Sequence, residues 1–356
     1  MNFKIKISKE VDSDWNECLS KSKYSTAFQT SNWINNYKKN PNTESIFIQI
    51  ESNQNEIVGQ LAIVIHKNNL RNENKIARKL GVKFNISSVL TWSYGPVIHD
   101  VKNYTKIISK IISTVNKIAK EKNIVMIRGS SPPLDQNNSN EIFIKNGFNI
   151  QPWSTQIIKL NKDVESFYSG LNKNIRYDIR KSKECKFMFE MPNNENYLKK
   201  FYKLKNEEYQ RDNRKISPIA NSYKERWENL YKNGIEKIFL VKEDEKIKSG
   251  ISNIIFNYYL IQHGVANSSK KSLAGIFLTW ETIKWAIENN YKFYDMGGFN
   301  PNPISKKEKN IKFYKSKWGG EKYQYNIYTK ILHKKRHIIS SILKNPKIIL
   351  KKIDKS

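Results

Sequence analysis

The sequence predicts an α/β (α+β) protein made of two similarly organised domains in tandem. Two observations carry the prediction. Segments with apolar residues at helical spacing alternate with short runs of strand-like alternation. The order of these segments, helices first, then an antiparallel meander, then a helix and a further strand, occurs before Leu160 and again after it. A length of 356 residues suffices for two ordinary domains, and the sequence has no apolar stretch long enough for a spanning helix.

Taken in order, "FKIKIS" alternates as a strand does, and "DSDWNECLSKS" and "SNWINNYKK" carry apolar residues at helical spacing behind Asp and Ser caps. "SIFIQIES" and "IVGQLAIVIHK" flank the polar turn "NQNE" as a hairpin, and "SVLTWSYGPVIHD" follows. The helix "YTKIISKIISTVNKIAKE", the strand "NIVMIRGS" and the strand "STQIIKL" complete the first half. In the second half "VESFYSGL" and "NKNIRYDIRKSKE" read as helices and "FMFEMP" as extended chain. Two more helices, "ENYLKKFYKLKNEEYQRD" and "NSYKERWENLYKNG", precede a meander formed by "IEKIFLVKED" and "IKSGISNIIFNYYLIQHGVAN". The helix "IFLTWETIKWAIENN" leads to the strand "KFYDMGG", and "YQYNIYTKIL" is the last strand. These readings give a first domain over 1–160, a second over 161–332 and a basic tail over 333–356.

Composition narrows the partners. Sixty-three Lys and Arg against thirty-three Asp and Glu leave a net charge of +30, which attracts phosphates, nucleic acid, anionic lipid or acidic metabolites. A merely lysine-rich, solvated surface is the competing reading. The start "MNFKIKISKE" has neither the apolar core nor the cleavage site of a signal peptide, and only Cys18 and Cys185 could pair. A cytoplasmic protein is expected, with a peripheral position at the inner face of the membrane open to it. The five histidines are scattered, and no Cys-x-x-Cys or His-Glu-x-x-His offers metal ligands, so no metal site is expected. No phosphate-cradling Gly-x-x-x-x-Gly-Lys-Ser/Thr and no Gly-x-Ser-x-Gly elbow occurs.

Seven segments stand in an order of their own: "FQTSNWINNYK", "WSYGPVIHD", "LNKNIRYDIRKSKE", "YQRDNRKISPIANSYKERW", "HGVANSS", "LTWETIKWAIENNYKFYDMGG" and "FYKSKWGGE". As a set, from Phe28 to Tyr328, they resemble the FemABX family and its FemAB-like acyltransferase relatives. The resemblance implies two tandem GNAT-like domains. It also implies transfer of an aminoacyl group from aminoacyl-tRNA, or an acyl group from another carrier such as acyl-CoA, to an amine of a cell-envelope precursor, with no tightly bound cofactor. Peptidoglycan-type peptides and amino sugars are acceptors of that kind. Some family members insert a long helical hairpin in the second domain; the stretch from Asn193 to Gly234 has room for two helices only.

The same resemblance assigns residues. Lys315 in "FYKSKWGG" matches the lysine of the family's Phe-Lys motif, with Tyr314 in place of the usual Phe. A lysine between Phe313, Tyr314 and Trp318 is expected to be partly desolvated and to act strongly on a nearby carbonyl or phosphate oxygen. Gly297 and Gly298 of "YDMGG" are expected to end a strand and let backbone approach the substrate cleft. Asp295 beside them either orients turn amides, the preferred role, or serves as a base. Trp92, Tyr94 and Asp100 of "WSYGPVIHD" take acceptor-side roles. Asp100 is either a base for the attacking amine or a helix cap. Lys38 is either an acceptor contact or a solvated helix-end lysine. Arg176, on a face with Lys173, Tyr177 and Arg180, and Arg211, with Arg214 nearby, are candidates for gripping the diphosphate of a nucleotide- or lipid-linked acceptor, or a tRNA stem.

Two readings compete with an aminoacyl-tRNA-dependent enzyme. In acyl-CoA-dependent GNAT proteins a glycine-rich turn precedes the helix that receives the pyrophosphate; here that junction is "KKSLAGIF", with Gly275 alone, a poor loop for CoA. An acyl-CoA-dependent N-acyltransferase of surface polysaccharide synthesis stays open nonetheless. The other is a non-catalytic basic protein that binds nucleic acid or membrane by charge. The tail bears on both. It carries Lys334, Lys335, Arg336, Lys344, Lys347, Lys351, Lys352 and Lys355 against Asp354. Ile338, Ile339, Ile342 and Leu343 fall at helical spacing before Pro346, and Ile349, Leu350 and Ile353 after it. Such segments suit an anionic bilayer; packing back onto the protein, or tRNA binding, are the alternatives.

Overall fold

The computed structural model describes residues 3–68, 70, 79–81, 83–212, 223–269 and 272–344. The chain divides into two units, 1–151 with 325–356, and 152–324. Arg214 and 345–356, including Pro346 and the lysines beyond it, lie outside the described residues.

The first unit opens with β1 (Lys4–Ser8), α1 (Ser13–Ser20) and α2 (Ser31–Asn35). Thr30 caps α2 by accepting the Trp33 N–H. β2 (Thr43–Glu51) and β3 (Ile57–His66) form the expected antiparallel hairpin, with Asn55 supplying the positive φ that its turn requires. β4 (Val89–Thr91) and β5 (Val97–Ile98) lead to α3 (Tyr104–Glu121). The apolar period of α3 buries Ile107, Ile108, Ile111, Ile112, Val115 and Ile118 against the sheet; each is worth roughly 1.5–3 kcal/mol. β6 (Met126–Ser130) then returns parallel to β4, pairing Val89–Thr91 with Met126–Arg128. α4 (Asn140–Lys145) follows.

β7 (Asn149–Lys159) carries the chain into the second unit, where α5 (Val164–Ser169), α6 (Lys173–Lys183), β8 (Met188–Glu190), α7 (Glu195–Arg211) and α8 (Tyr223–Arg226) precede the meander. The meander is β9 (Glu236–Glu243), β10 (Lys246–Phe256) and β11 (Tyr259–Asn267), all antiparallel. α9 (Ala274–Glu288) crosses to β12 (Phe293–Phe299), which lies parallel to β11 over Tyr259–Ile261 and antiparallel to β7. Each unit thus contains a strand, a crossover helix and a parallel strand with a ladder of three residue pairs, the duplicated order anticipated from the segment pattern.

α10 (Lys306–Ser316) is a helix where the sequence reading named no element between "KFYDMGG" and "YQYNIYTKIL". Its signal was present: Ser305 and Glu308 form a capping box, each side chain bonding the other's backbone N–H. β13 (Glu321–Ile331) pairs over Ile327–Ile331 with β6, and α11 (Lys334–Lys344) follows. The domain limits therefore need correction. The last strand and tail join the first unit because β13 completes the sheet of β6, and the boundary near 160 moves to 151/152.

Candidate functional site in the second unit

β12 does not end at its glycine pair, as the sequence suggested; it bulges there. Asp295 pairs with Ile157 and Gly298 with Thr155, so two residues, Met296 and Gly297, oppose Gln156 alone. Gly297 has φ +80, and a Cβ there would lie 2.8 Å from the Gln262 carbonyl oxygen, so only glycine fits. β11 carries its own bulge, at His263, between the pairs Asn253–Gln262 and Ser252–Gly264. The parallel ladder between β11 and β12 stops at Ile261 and Asp295, although both strands run on.

Asp295 is fully buried behind this bulge. Its carboxylate accepts the Gly297 N–H at 2.7 Å, the Tyr259 hydroxyl at 2.8 Å and the Thr155 hydroxyl. Burial raises its proton affinity, and the three donors together with nearby Lys315 oppose that rise. The orienting role expected for Asp295 is the one its contacts describe.

Lys315 descends onto the bulge from the last turn of α10. It is 9% exposed, and its Nζ donates to the carbonyls of Gly297 at 2.5 Å and Gly298 at 3.1 Å. Burial lowers its pKa from 10.5 to about 8, with Asp295 pulling the other way. Two of the three ammonium donors are thereby used, and among the described residues one is left to meet an oxygen. The desolvation expected of this lysine is present, but its neighbours differ from those expected. Phe299 is the ring beneath Nζ, 5.8 Å away, whereas Phe313 is 64% exposed and lies under Lys317. Tyr314 donates to the Gly275 carbonyl at 3.2 Å and meets the Thr279 hydroxyl at 2.9 Å, which fastens α10 to the first turn of α9. Gly319 and Gly320, both with positive φ, make the turn into β13, their carbonyls held by the Gln156 amide.

The remaining second-unit candidates lie on neighbouring elements. Arg211 donates to the carbonyls of Ser268, at 2.7 Å, and Asn267, so its guanidinium secures the end of β11. Arg176 is half-buried on α6, its Nε shielded and without a hydrogen-bond partner among the described residues. Sequence reasoning missed Tyr259, Thr155, Gln262 and Phe299, which complete the bulge. It also missed the buried ion pair of Arg226 and Glu236, 2.7 Å apart, beside Ser252. Residues such as these carry no local signature because tertiary pairing alone brings them together.

The other four candidates belong to the first unit. Trp92, expected to touch substrate, is instead core: it is buried, its Nε1 donates to the Gly95 carbonyl at 3.0 Å, and its ring covers Gly129. Tyr94 is likewise buried, edge-on to Phe28 and Tyr325. Of the two roles open to Asp100, the contacts supply the cap: it accepts the Asn103 N–H at 3.2 Å and the Asn103 side-chain amide at 2.7 Å. Lys38 is an exposed partner of Glu10 at 3.2 Å. Cys18 lies 3.3 Å from His99, a contact invisible in sequence, yet burial pushes the thiol up to about 11 and the imidazole down to about 4. Both are neutral near pH 7, which makes the pair no thiolate nucleophile.

This geometry can be set against known proteins. No family model matches the chain, and no curated protein does. Solved structures do match: FemX, with a TM-score of 0.71 at 14% identity, covers 94% of this chain and 99% of its own. The fold is FemABX-like, of the tandem GNAT type. A tandem GNAT protein from the clavulanic acid biosynthesis pathway agrees, with a TM-score of 0.58 at 10% identity over 93% of this chain and 98% of its own. L-PGS from Bacillus licheniformis does so with 0.55 at 11% identity, over 93% and 95%. The fold expected from the seven segments is therefore present.

Proposed function

We propose that this FemABX-like chain is an N-acyltransferase that moves an aminoacyl or acyl group from an activated ester or thioester to an amine of a cell-envelope precursor. Peptidoglycan-type peptides and amino sugars are the acceptors it would take. The observation that carries the reading is Lys315, buried on the carbonyls of a β-bulge with one donor unused among the described residues. An unprotonated acceptor amine attacks the donor carbonyl, and the C–O or C–S bond to the carrier breaks as the amide forms. The proton lost by the amine leaves with the carrier hydroxyl or thiol, or with water. Lys315 donates to the carbonyl oxygen as it gains charge, while Asp295, through Gly297, fixes the carbonyls that aim the ammonium. Arg176, with its shielded Nε, is the candidate for an anionic group of a nucleotide- or lipid-linked acceptor.

Aminoacyl-tRNA is the donor favoured here, because Gly275 is the one glycine in the "KKSLAGIF" junction that opens α9, a poor loop for the pyrophosphate of CoA. The cytoplasmic setting expected from the sequence agrees with either donor. Mass spectrometry of small molecules and RNA that copurify with the protein is the direct test. Calorimetry with acetyl-CoA should give weak binding; micromolar affinity would move the assignment to an acyl-CoA-dependent transfer onto an amino sugar. A protein that releases every anion at moderate salt, and never turns over aminoacyl-tRNA or acyl-CoA, would be a charge-driven binder instead.

A further inference from the structure

α11 is attached to the first unit by its polar side. Arg336 donates to the Asn123 side chain at 2.6 Å and the Asn85 carbonyl at 3.3 Å, and Ser340, 4% exposed, is its one buried residue. The outward side is apolar. Ile338 is 56% exposed and Ile339 46%, and Ile342, half-buried, follows one turn on. At 3.6 residues per turn these three share one face with Lys334 and Lys335, both exposed. The packing expected for a helix at the end of a domain, isoleucines in and arginine out, is inverted.

Such a face suits one kind of partner. Water gains nothing from two exposed isoleucines, and a second copy of the helix would bring its own lysines against these. An RNA strand would accept the ammonium groups but offers the aliphatic side chains no apolar surface. A bilayer with anionic headgroups satisfies both, since lysines meet phosphates while isoleucines enter the acyl boundary. We propose that α11 docks the protein on an anionic membrane surface, with Ile338, Ile339 and Ile342 inserted and Lys334 and Lys335 at the level of the phosphates. The hold of Arg336 on Asn123 and Asn85 fixes which side of the helix is presented. The proposal uses no residue of the transfer site, so it stands or falls separately from the proposed reaction.

Sedimentation of the full chain with vesicles tests it. The protein should pellet at physiological salt with phosphatidylcholine vesicles containing phosphatidylglycerol, and not with phosphatidylcholine alone. Ile338→Glu with Ile339→Glu should weaken this binding about tenfold or more. Both positions are exposed, so the melting temperature should not change. Lys334→Glu with Lys335→Glu should weaken it as well. Absence of pelleting, or pelleting that the isoleucine variant retains, overturns the assignment. Retention of an RNA hairpin, lost in the same variant and without vesicle binding, would give the helix to nucleic acid and overturn it equally.

Discussion

Replacing Lys315 with methionine separates its electrostatic role from its place in the packing. The fall in its pKa from 10.5 to about 8 corresponds to roughly 3 kcal/mol by which the buried site disfavours the ammonium relative to the amine. Methionine removes that cost and keeps most of the volume. It also leaves the carbonyls of Gly297 and Gly298 without this donor, at about 1–3 kcal/mol each where no water replaces it. The two effects oppose one another, so the melting temperature at neutral pH should move by a few degrees at most. Transfer should nevertheless fall by roughly 10²–10³, the usual loss for one oxyanion donor. The sign with pH follows from the lowered value. Between about 8 and 10.5 the unfolded chain still holds a proton that the folded chain has released, so this group stabilises the fold increasingly as pH rises through that window. Wild-type stability should show this rise and Lys315→Met should lack it. Because the ammonium is the active form, wild-type kcat/KM should decline above about pH 8. The assay is discharge of labelled aminoacyl-tRNA or acyl-CoA to an acceptor amine, with thermal melts run in parallel. A folded variant with unchanged turnover would refute the reasoning.

Gly297→Ala should cost about 1–3 kcal/mol, read from denaturant midpoints, and should impair transfer as strongly as loss of Lys315, since φ +80 and the Gln262 carbonyl leave no room for a Cβ. Breaking the buried Arg226–Glu236 pair with Glu236→Gln should destabilise the protein by about 3–5 kcal/mol, and the apolar double replacement Arg226→Met with Glu236→Leu should recover much of it; equal melting of the single variant and wild type would contradict this. Trp92→Gly should cost about 3–5 kcal/mol through the cavity it leaves over Gly129, and added indole should raise the melting temperature of that variant but not of the wild type.

The fold was legible wherever one period ran long enough. α3 repeats isoleucine on one face over eighteen residues, and the β2–β3 hairpin alternates on both sides of a polar turn. α10 escaped because its inner face is a tyrosine, a lysine and a tryptophan just past its end, a pattern that reads as an aromatic run; only its capping box marks it as a helix. In the candidate site, the desolvation of Lys315 was legible, although the ring beneath its Nζ is Phe299 rather than the exposed Phe313 of its own motif. The partners of that burial were not. Carbonyl oxygens of a bulge have no sequence signature, and Asp295, Tyr259 and Thr155 meet only through strand pairing. The burial of Trp92 and Tyr94 was hidden for a related reason: a Gly-Pro turn ringed by aromatics looks the same whether the rings face a cleft or pack inward.

The two units use one strand–helix–strand motif to different ends, and the difference lies in the residue that follows each parallel ladder. In the first unit Trp92 follows Thr91, and its ring lies so close over Gly129 that a Cβ there would be 1.8 Å from it. The indole fills the space beyond the ladder and closes its own donor on Gly95, which makes this end of β4 and β6 part of the core. In the second unit Gln262 follows Ile261. Its side chain accepts the Tyr294 hydroxyl at 3.0 Å, its carbonyl faces a glycine, and both strands bulge instead of closing. Backbone polar groups displaced from a ladder need partners. Two of them, the carbonyls of Gly297 and Gly298, have found a lysine rather than a strand. With a ring at this point the first unit closes into core, and with a bulge the second leaves carbonyls to a lysine, which is why the proposed chemistry is placed in the second unit.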